Sequence, residues 1–167
     1  MCTVAVFAAV WRGPGSLLYE AIARPQDAPH RTFFIVVPYL ATLAGGLVSN
    51  LVFGPAALAG YLVTGLGDAI GEPVGTMWGA HRYRVRSLSS VPATRSLEGS
   101  AAVLVMSAAA LLLTAAASPV IALTWAAAPG ILLIAGASAL VEAVSPHGWD
   151  NFTMQVVPTA LVWAWLA

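Results

Sequence analysis

The chain lacks lysine altogether, has a single cysteine, and carries only seven arginines and seven acids, 8% charged residues in all. Each shortage excludes something. Soluble domains carry roughly 25% charged residues, so a chain this poor in charge does not cover a water-facing surface. Cys2 alone permits neither an intramolecular disulfide nor a cysteine metal centre. The arginines and acids cancel, so no overall field draws in nucleic acid. No pair among the three histidines has metal-ligand spacing, which argues against zinc; His30, His81 and His147 read as interfacial residues. Neither Gly-x-Ser-x-Gly nor Gly-x-x-x-x-Gly-Lys occurs, which removes a hydrolase elbow and a P-loop. A basic n-region is also missing, so a cleaved signal peptide is not expected, and Met1 to Trp11 reads as a stump of a longer span.

What remains is apolar: 59% hydrophobic residues and a mean hydropathy of +0.84. They fall in long runs rather than stripes, which points to lipid as the solvent. The expected fold is an all-α, polytopic bundle of about five transmembrane helices in one integral membrane domain, residues 1–167. Residues 1–32 are expected to be the stump and a cytoplasmic loop, and 33–167 the bundle, with site loops at 68–99 and 142–151.

A membrane helix needs about 20 apolar residues, and Phe33 to Phe53 supplies 21 without a charge. Gly54-Pro55 signals a turn. A second run starts near Ala56, turns polar at Asp68, and can continue as helix toward Pro73 or Gly79. Gly67, Gly71, Gly75 and Gly79 recur every fourth residue, on one helical face where a neighbouring backbone can come close. His81 to Gly99 is polar and holds four arginines. Ser100 to Ala117 is a third run, Ser118-Pro119 a break, and Val120 to Val141 a fourth run with Pro129-Gly130 predicting a kink. Glu142 to Asn151 is a polar loop, and Phe152 to Ala167 a fifth run. Threading these spans back and forth puts every Arg, Asp and Glu on one side of the membrane. The positive-inside rule makes that side cytoplasmic.

Asp68 and Glu72, four residues apart, share a helical face. Two such carboxylates suit Mg²⁺ (or Mn²⁺), which also takes substrate phosphates; the simpler alternative is that they close a helix at the water interface. Acids pointing into a membrane bundle are functional candidates. Gly65, Gly67, Gly71 and Gly75 would leave amides unshielded for phosphate. His81-Arg82-Tyr83-Arg84-Val85-Arg86 alternates basic residues with others, either to clamp a nucleotide triphosphate or to anchor on anionic headgroups. Ser96 and Glu98 have helix-capping chemistry, as does Asp150.

The segments Gly67-Asp68-Ala69-Ile70-Gly71-Glu72-Pro73-Val74-Gly75, Trp78-Gly79-Ala80-His81-Arg82-Tyr83 and Arg95-Ser96-Leu97-Glu98-Gly99-Ser100 together resemble the dolichol kinase and phytol kinase family. That family includes CTP-dependent diacylglycerol kinases and is distantly similar to phosphatidate cytidylyltransferases. Glu142 and Asp150-Asn151 look like its later acid and Asp-Asn pair. The resemblance implies Mg²⁺-dependent phosphoryl transfer from CTP, or a related nucleotide, to the hydroxyl of a membrane prenol or diacylglycerol. It implies catalytic roles for Asp68, Glu72, Arg95, Glu98 and Asp150, with Asp68 and Asp150 as metal ligands. Nucleotide binding would fall to Gly67, Gly71, Gly75, Arg82, Arg84 and Asn151. Two departures stand out. The family usually has lysine where Arg95 stands, and its members carry additional N-terminal membrane helices, a wall that a homo-oligomer would complete. The alternatives are a CDP-lipid-forming cytidylyltransferase, an inactive truncated paralogue, and a small transporter, against which the absence of charge deep in the spans counts.

Overall fold

The computed structural model describes residues 2–122 and 124–166; Met1, Leu123 and Ala167, which belong to the expected N-terminal stump and the fourth and fifth apolar runs, lie outside the described residues. The chain is mostly helical, in the order α1 (Cys2–Arg12), α2 (Leu17–Ile22), α3 (Phe33–Phe53), α4 (Ala57–Trp78), β1 (Arg82–Val85), β2 (Ala93–Ser96), α5 (Leu97–Ala117), α6 (Ala128–Val144) and α7 (Asp150–Trp165). Three helical stretches are long and apolar enough to cross a membrane: Phe33–Trp78, Leu97–Ala117 and Trp125–Val144. The first comprises α3 and α4, which fold back on each other where Gly54 takes φ +54°, a conformation glycine adopts freely.

Helix α3 is inverted relative to a helix of a water-soluble bundle. On α3, Ala41, Gly45, Gly46 and Ser49 face inward, while Leu40, Leu43, Leu47 and Leu51 are exposed. Lipid tails are as apolar as leucine, so burying leucine between helices gains little, and small residues that let backbones approach decide the interface. α4 lies between α5 and α7, α3 packs on α7, and α6 closes against α5 and α7. The expected glycine face on α4 does this work. A Cβ on Gly75 would sit 3.6 Å from the Gly99 Cα, and one on Gly99 would sit 3.0 Å from the Gly71 carbonyl.

Four expectations are corrected. The fold is not purely helical: His81 to Gly99 contains an antiparallel hairpin pairing Arg82 with Ser96 and Val85 with Ala93. The alternation of His81 to Arg86 has the two-residue period of a strand, and the side chains of Ser87 and Ser89 tighten the loop by accepting the amides of Ser89 and Val91. Pro129 does not kink the fourth run but sits in the first turn of α6, where its missing N–H leaves no bond unmade. Residues 1–32 hold more than a stump and a loop: α1 and α2 pack together, and the segment after α2 buries Asp27. The glycines at 67, 71 and 75 lie inside α4, not in a phosphate-binding turn, because the helix runs on through Pro73 to Trp78.

Candidate functional site

At the end of the bundle where α4 ends and α5 and α7 begin, a cavity of about 580 Å³ opens. Three structural devices bring its walls together. The glycine contacts just described let α4 and the start of α5 converge. Ser96, buried at the end of β2, caps α5 by accepting the Gly99 amide at 3.1 Å, which fixes the neighbouring Arg95. On α7, Asn151 donates its side-chain amide to Thr42 of α3 at 3.0 Å, which fixes Asp150 beside it.

Five carboxylates line the cavity, Asp27, Asp68, Glu72, Glu142 and Asp150, against three arginines, Arg24, Arg82 and Arg95. Their pairing is uneven. Arg95 bridges two acids, its Nε 3.0 Å from Glu142 and one Nη 2.6 Å from Asp150, and all three side chains are at least four-fifths buried. Ser100 adds a hydrogen bond to Glu142 at 3.2 Å and receives or gives another with the Tyr83 hydroxyl at 2.8 Å. Arg24, from the segment after α2, meets Glu72 at 2.5 Å in a half-exposed pair. His147 Nε2 lies 3.2 Å from the buried Asp27 and its ring stacks on Phe34. Asp68 alone has no hydrogen-bond or ion-pair partner among the described residues and is open to the cavity. The other unmet group is the second Nη of Arg95, buried without an acceptor.

Of the eleven residues given catalytic or nucleotide-binding roles by the resemblance, Asp68, Glu72, Arg95, Asp150, Asn151, Arg82, Gly67, Gly71 and Gly75 line this cavity. Two do not. Glu98 turns away to His81, accepting from its backbone N–H at 3.3 Å and meeting its ring Nδ1 at 2.7 Å, because the first turn of α5 points its side chain at the start of the hairpin. Arg84 is exposed on β1 and is not among the residues that line the cavity. Arg82 stays at the cavity through a bond from its Nε to the Gly79 carbonyl at 3.1 Å. Glu142 is as central as Asp150, and the polar loop after the fourth run already pointed to it. Arg24, Asp27 and Ser100 carried no spacing signal, since their proximity depends on how the N-terminal segment folds back.

The chemistry available is that of a small water-accessible chamber with excess negative charge, an unneutralised carboxylate and an arginine with a donor to spare. Among the described residues no three His, Cys, Asp or Glu side chains converge into a metal-binding cluster. Phe34, Ile35, Pro38 and Val103 give the same cavity an apolar wall. Comparisons with protein-family models, with curated proteins and with solved structures find no match for this chain.

Proposed function

We propose that this protein is a membrane phosphotransferase that moves the terminal phosphoryl group of CTP, or a related nucleotide, to the hydroxyl of a prenol or of diacylglycerol. The observation that carries the reading is the coexistence, in one cavity, of an unpaired carboxylate at Asp68 and an Arg95 with an unmet donor. The first seeks a cation and the second an anion, which is the pairing a magnesium–phosphate group presents. The excess of carboxylates over arginines favours a nucleotide that arrives with its cation over a bare one.

In this reading α3 to α7 are five spans of a multi-pass protein, and the cavity lies on the cytoplasmic side. Asp68 and Asp150 would hold Mg²⁺, which would supply charge neutralisation on the phosphate oxygens. Arg95 and Arg82 orient phosphate through their planar donor forks. Glu142 keeps Arg95 in place, and Glu72, held by Arg24, supports the helix turn that carries Asp68. The apolar wall of Phe34, Ile35, Pro38 and Val103 would seat the first carbons of the lipid, bringing its hydroxyl to the water-facing chamber. Positioning of this kind is most of what phosphoryl transfer asks of a protein.

The test is transfer by purified protein in detergent, with γ-labelled CTP or ATP, Mg²⁺ and a panel of prenols and diacylglycerol. Label in a lipid, reduced at least about 100-fold in Asp68→Asn, supports the reading. Transfer of the cytidylyl group to phosphatidate instead would make it a cytidylyltransferase. No transfer of either kind by folded protein would leave a non-catalytic relative.

A further inference from the structure

The segment after α2 meets the loop between α6 and α7 through a pair that the phosphate chemistry does not use. Asp27 is 3% exposed, and the one partner of its carboxylate among the described residues is His147, whose Nε2 lies 3.2 Å away. The histidine is held from other sides as well. Its backbone N–H donates to the Arg86 carbonyl at 2.7 Å and its carbonyl accepts the Leu88 amide at 3.3 Å, which ties it to the hairpin loop. Its ring stacks on Phe34 of α3, with centroids 4.6 Å apart. Gly148 lets the loop lie that close: it takes φ +95°, and a Cβ there would sit 3.3 Å from the Phe34 ring. A carboxylate only accepts hydrogen bonds, so in the neutral ring Nε2 carries the proton and Nδ1 keeps its lone pair. Nδ1 makes no hydrogen bond among the described residues, nor is it sealed from solvent as the second Nη of Arg95 is. Among the described residues that line the cavity, His147 is the one imidazole.

We propose that His147, oriented by Asp27, is the base that takes the proton of the acceptor hydroxyl, an inference that rests on the phosphotransfer reading. In the step, the lipid oxygen forms a bond to the terminal phosphorus of the nucleotide. The bond from that phosphorus to the bridging oxygen breaks, and its electron pair leaves on the nucleoside diphosphate. The hydroxyl proton passes to Nδ1 of His147, and the imidazolium later returns it to water. Asp27 fixes the tautomer and offsets the charge the ring gains, which makes it a positioning residue. Location supports the assignment. Phe34, on which the ring stacks, belongs to the apolar wall of the cavity, so a hydroxyl at the head of a lipid lying on that wall comes to the edge of the imidazole. The acids of the chamber are otherwise engaged: Glu142 and Asp150 by Arg95, and Glu72 by Arg24. Asp68 is reserved for the cation in the same reading. A histidine that only propped the N-terminal segment against the loop would need its Nε2 and its ring face, and would have no use for an open Nδ1.

The experiment is the transfer assay on wild type, His147→Ala and His147→Gln, run with and without added imidazole, beside calorimetric titration of each protein with CTP and Mg²⁺. Both variants are expected to lower kcat by about 100-fold and to leave CTP affinity within about twofold of wild type. Imidazole is expected to recover at least about tenfold of the rate in His147→Ala, where the space of the ring is open, and little in His147→Gln, whose side chain fills it. Thermal unfolding checks that each variant is folded. If His147→Ala is not, His147→Gln, which can still donate to Asp27, decides by the split between kcat and CTP affinity. A rate within about twofold of wild type in the variants overturns the inference and leaves phosphotransfer standing. So does a lowered rate in folded His147→Ala that imidazole leaves untouched, or CTP binding weakened in step with the rate, since His147 then serves only as a prop. No transfer by folded wild type overturns the phosphotransfer reading and this inference together, so the two failures are told apart.

Discussion

The middle of the bundle and its charged end are held together by opposite means. In the middle, helices meet where side chains have been removed. A Cβ on Gly60 would lie 2.1 Å from the Gln155 carbonyl of α7, and one on Gly71 2.5 Å from Val103 of α5. Some hydroxyls there are satisfied within their own helix, as Thr114 is by the Ala110 carbonyl at 2.9 Å and Thr159 by that of Gln155 at 2.7 Å, whereas Thr64, Ser107 and Gln155 each bury a side-chain oxygen without a partner. At the charged end, long side chains bridge elements far apart in sequence, as Arg95 of β2 reaches Glu142 of α6 and Asp150 of α7. The difference follows from solvent. Inside the bilayer there is no water to expel, so closeness alone holds helices together. At the water interface charges can be carried, partnered and released, which is what a binding chamber needs.

The sharpest way to break this comparison is at Arg95, where the charged end behaves like an interior. Arg95→Met leaves Glu142 and Asp150 without a counter-ion in a largely buried setting, and a loss of about 3–5 kcal/mol is expected. Denaturant or thermal unfolding in detergent reads it directly. Adding Glu142→Gln and Asp150→Asn should recover most of the loss, because the isolated charges are what costs. If Arg95→Met unfolds like wild type, the bridge holds nothing together.

Next in size is Gly60→Val, whose side chain would meet backbone and so could not be relieved by a rotamer change. An overpacking loss of about 1–3 kcal/mol is expected, against the gain of up to about 1 kcal/mol that leaving glycine brings a helix. Gly65 on the same helix has nothing within 4 Å of a would-be Cβ. Gly65→Ala should therefore stabilise, by about 0.5–1 kcal/mol. Equal effects at the two positions would mean that α4 and α7 are not in the contact described.

How far the sequence reaches follows the same division. The apolar runs delimited α3, α4 and α5 to within a few residues, because a helix in lipid needs length and hydropathy and little else. The glycine series at positions 67 to 79 correctly marked a close-packed face, yet its chemical reading as a phosphate cradle does not hold, since spacing reports a helical face and not a free amide. The alternation of Arg82, Arg84 and Arg86 carries a strand period as well as charge. Asp68, Glu72, Arg95 and Asp150 could be gathered on one side from hydropathy; that they share one cavity depends on helix packing. Which acid goes unpaired lay beyond the sequence, because Arg24 and Asp27 reach the cavity only through the fold of the N-terminal segment.

A smaller effect is expected where the charged end is open to water. Arg24 and Glu72 form a short pair, but their side chains are 47% and 43% exposed. Exposed pairs contribute at most about 1 kcal/mol, so Glu72→Gln should change unfolding by roughly 0.5 kcal/mol or less. In the phosphotransfer reading the same variant should act on the Mg²⁺ concentration needed for half-maximal rate, by removing one of the acids around Asp68. A stability loss as large as that of Arg95→Met would erase the distinction between the bridging arginine and the surface one.

The smallest expected effect concerns pH and the segment that covers the cavity. Glu20 of α2 receives both Nη groups of Arg31, at 2.6 and 3.3 Å, and the Gly15 amide at 3.0 Å. The hydrogen bonds from Arg31, with that from Gly15 next, hold its carboxyl below the usual carboxylate range. A depressed native value means that the unfolded segment takes up a proton first as the pH falls. The pair therefore contributes in full above the ordinary glutamate range near 4.3, and its contribution disappears as the pH drops through the lower native value. Arg31, raised by the same contact, stays charged throughout. Hydrogen exchange followed from pH 6 to pH 3, corrected for intrinsic rates, should show α2 losing protection relative to α5. Glu20→Gln should start from the lower protection and show no further loss. Because Arg31 also donates to the Ala23 carbonyl at 3.0 Å, at the end of α2 and one residue before Arg24, loosening should spread to the strap that lines the cavity. If α2 keeps its protection at pH 3 while Glu20 is protonated, the strap is held instead by the buried Asp27 with His147, and the exposed pair is incidental.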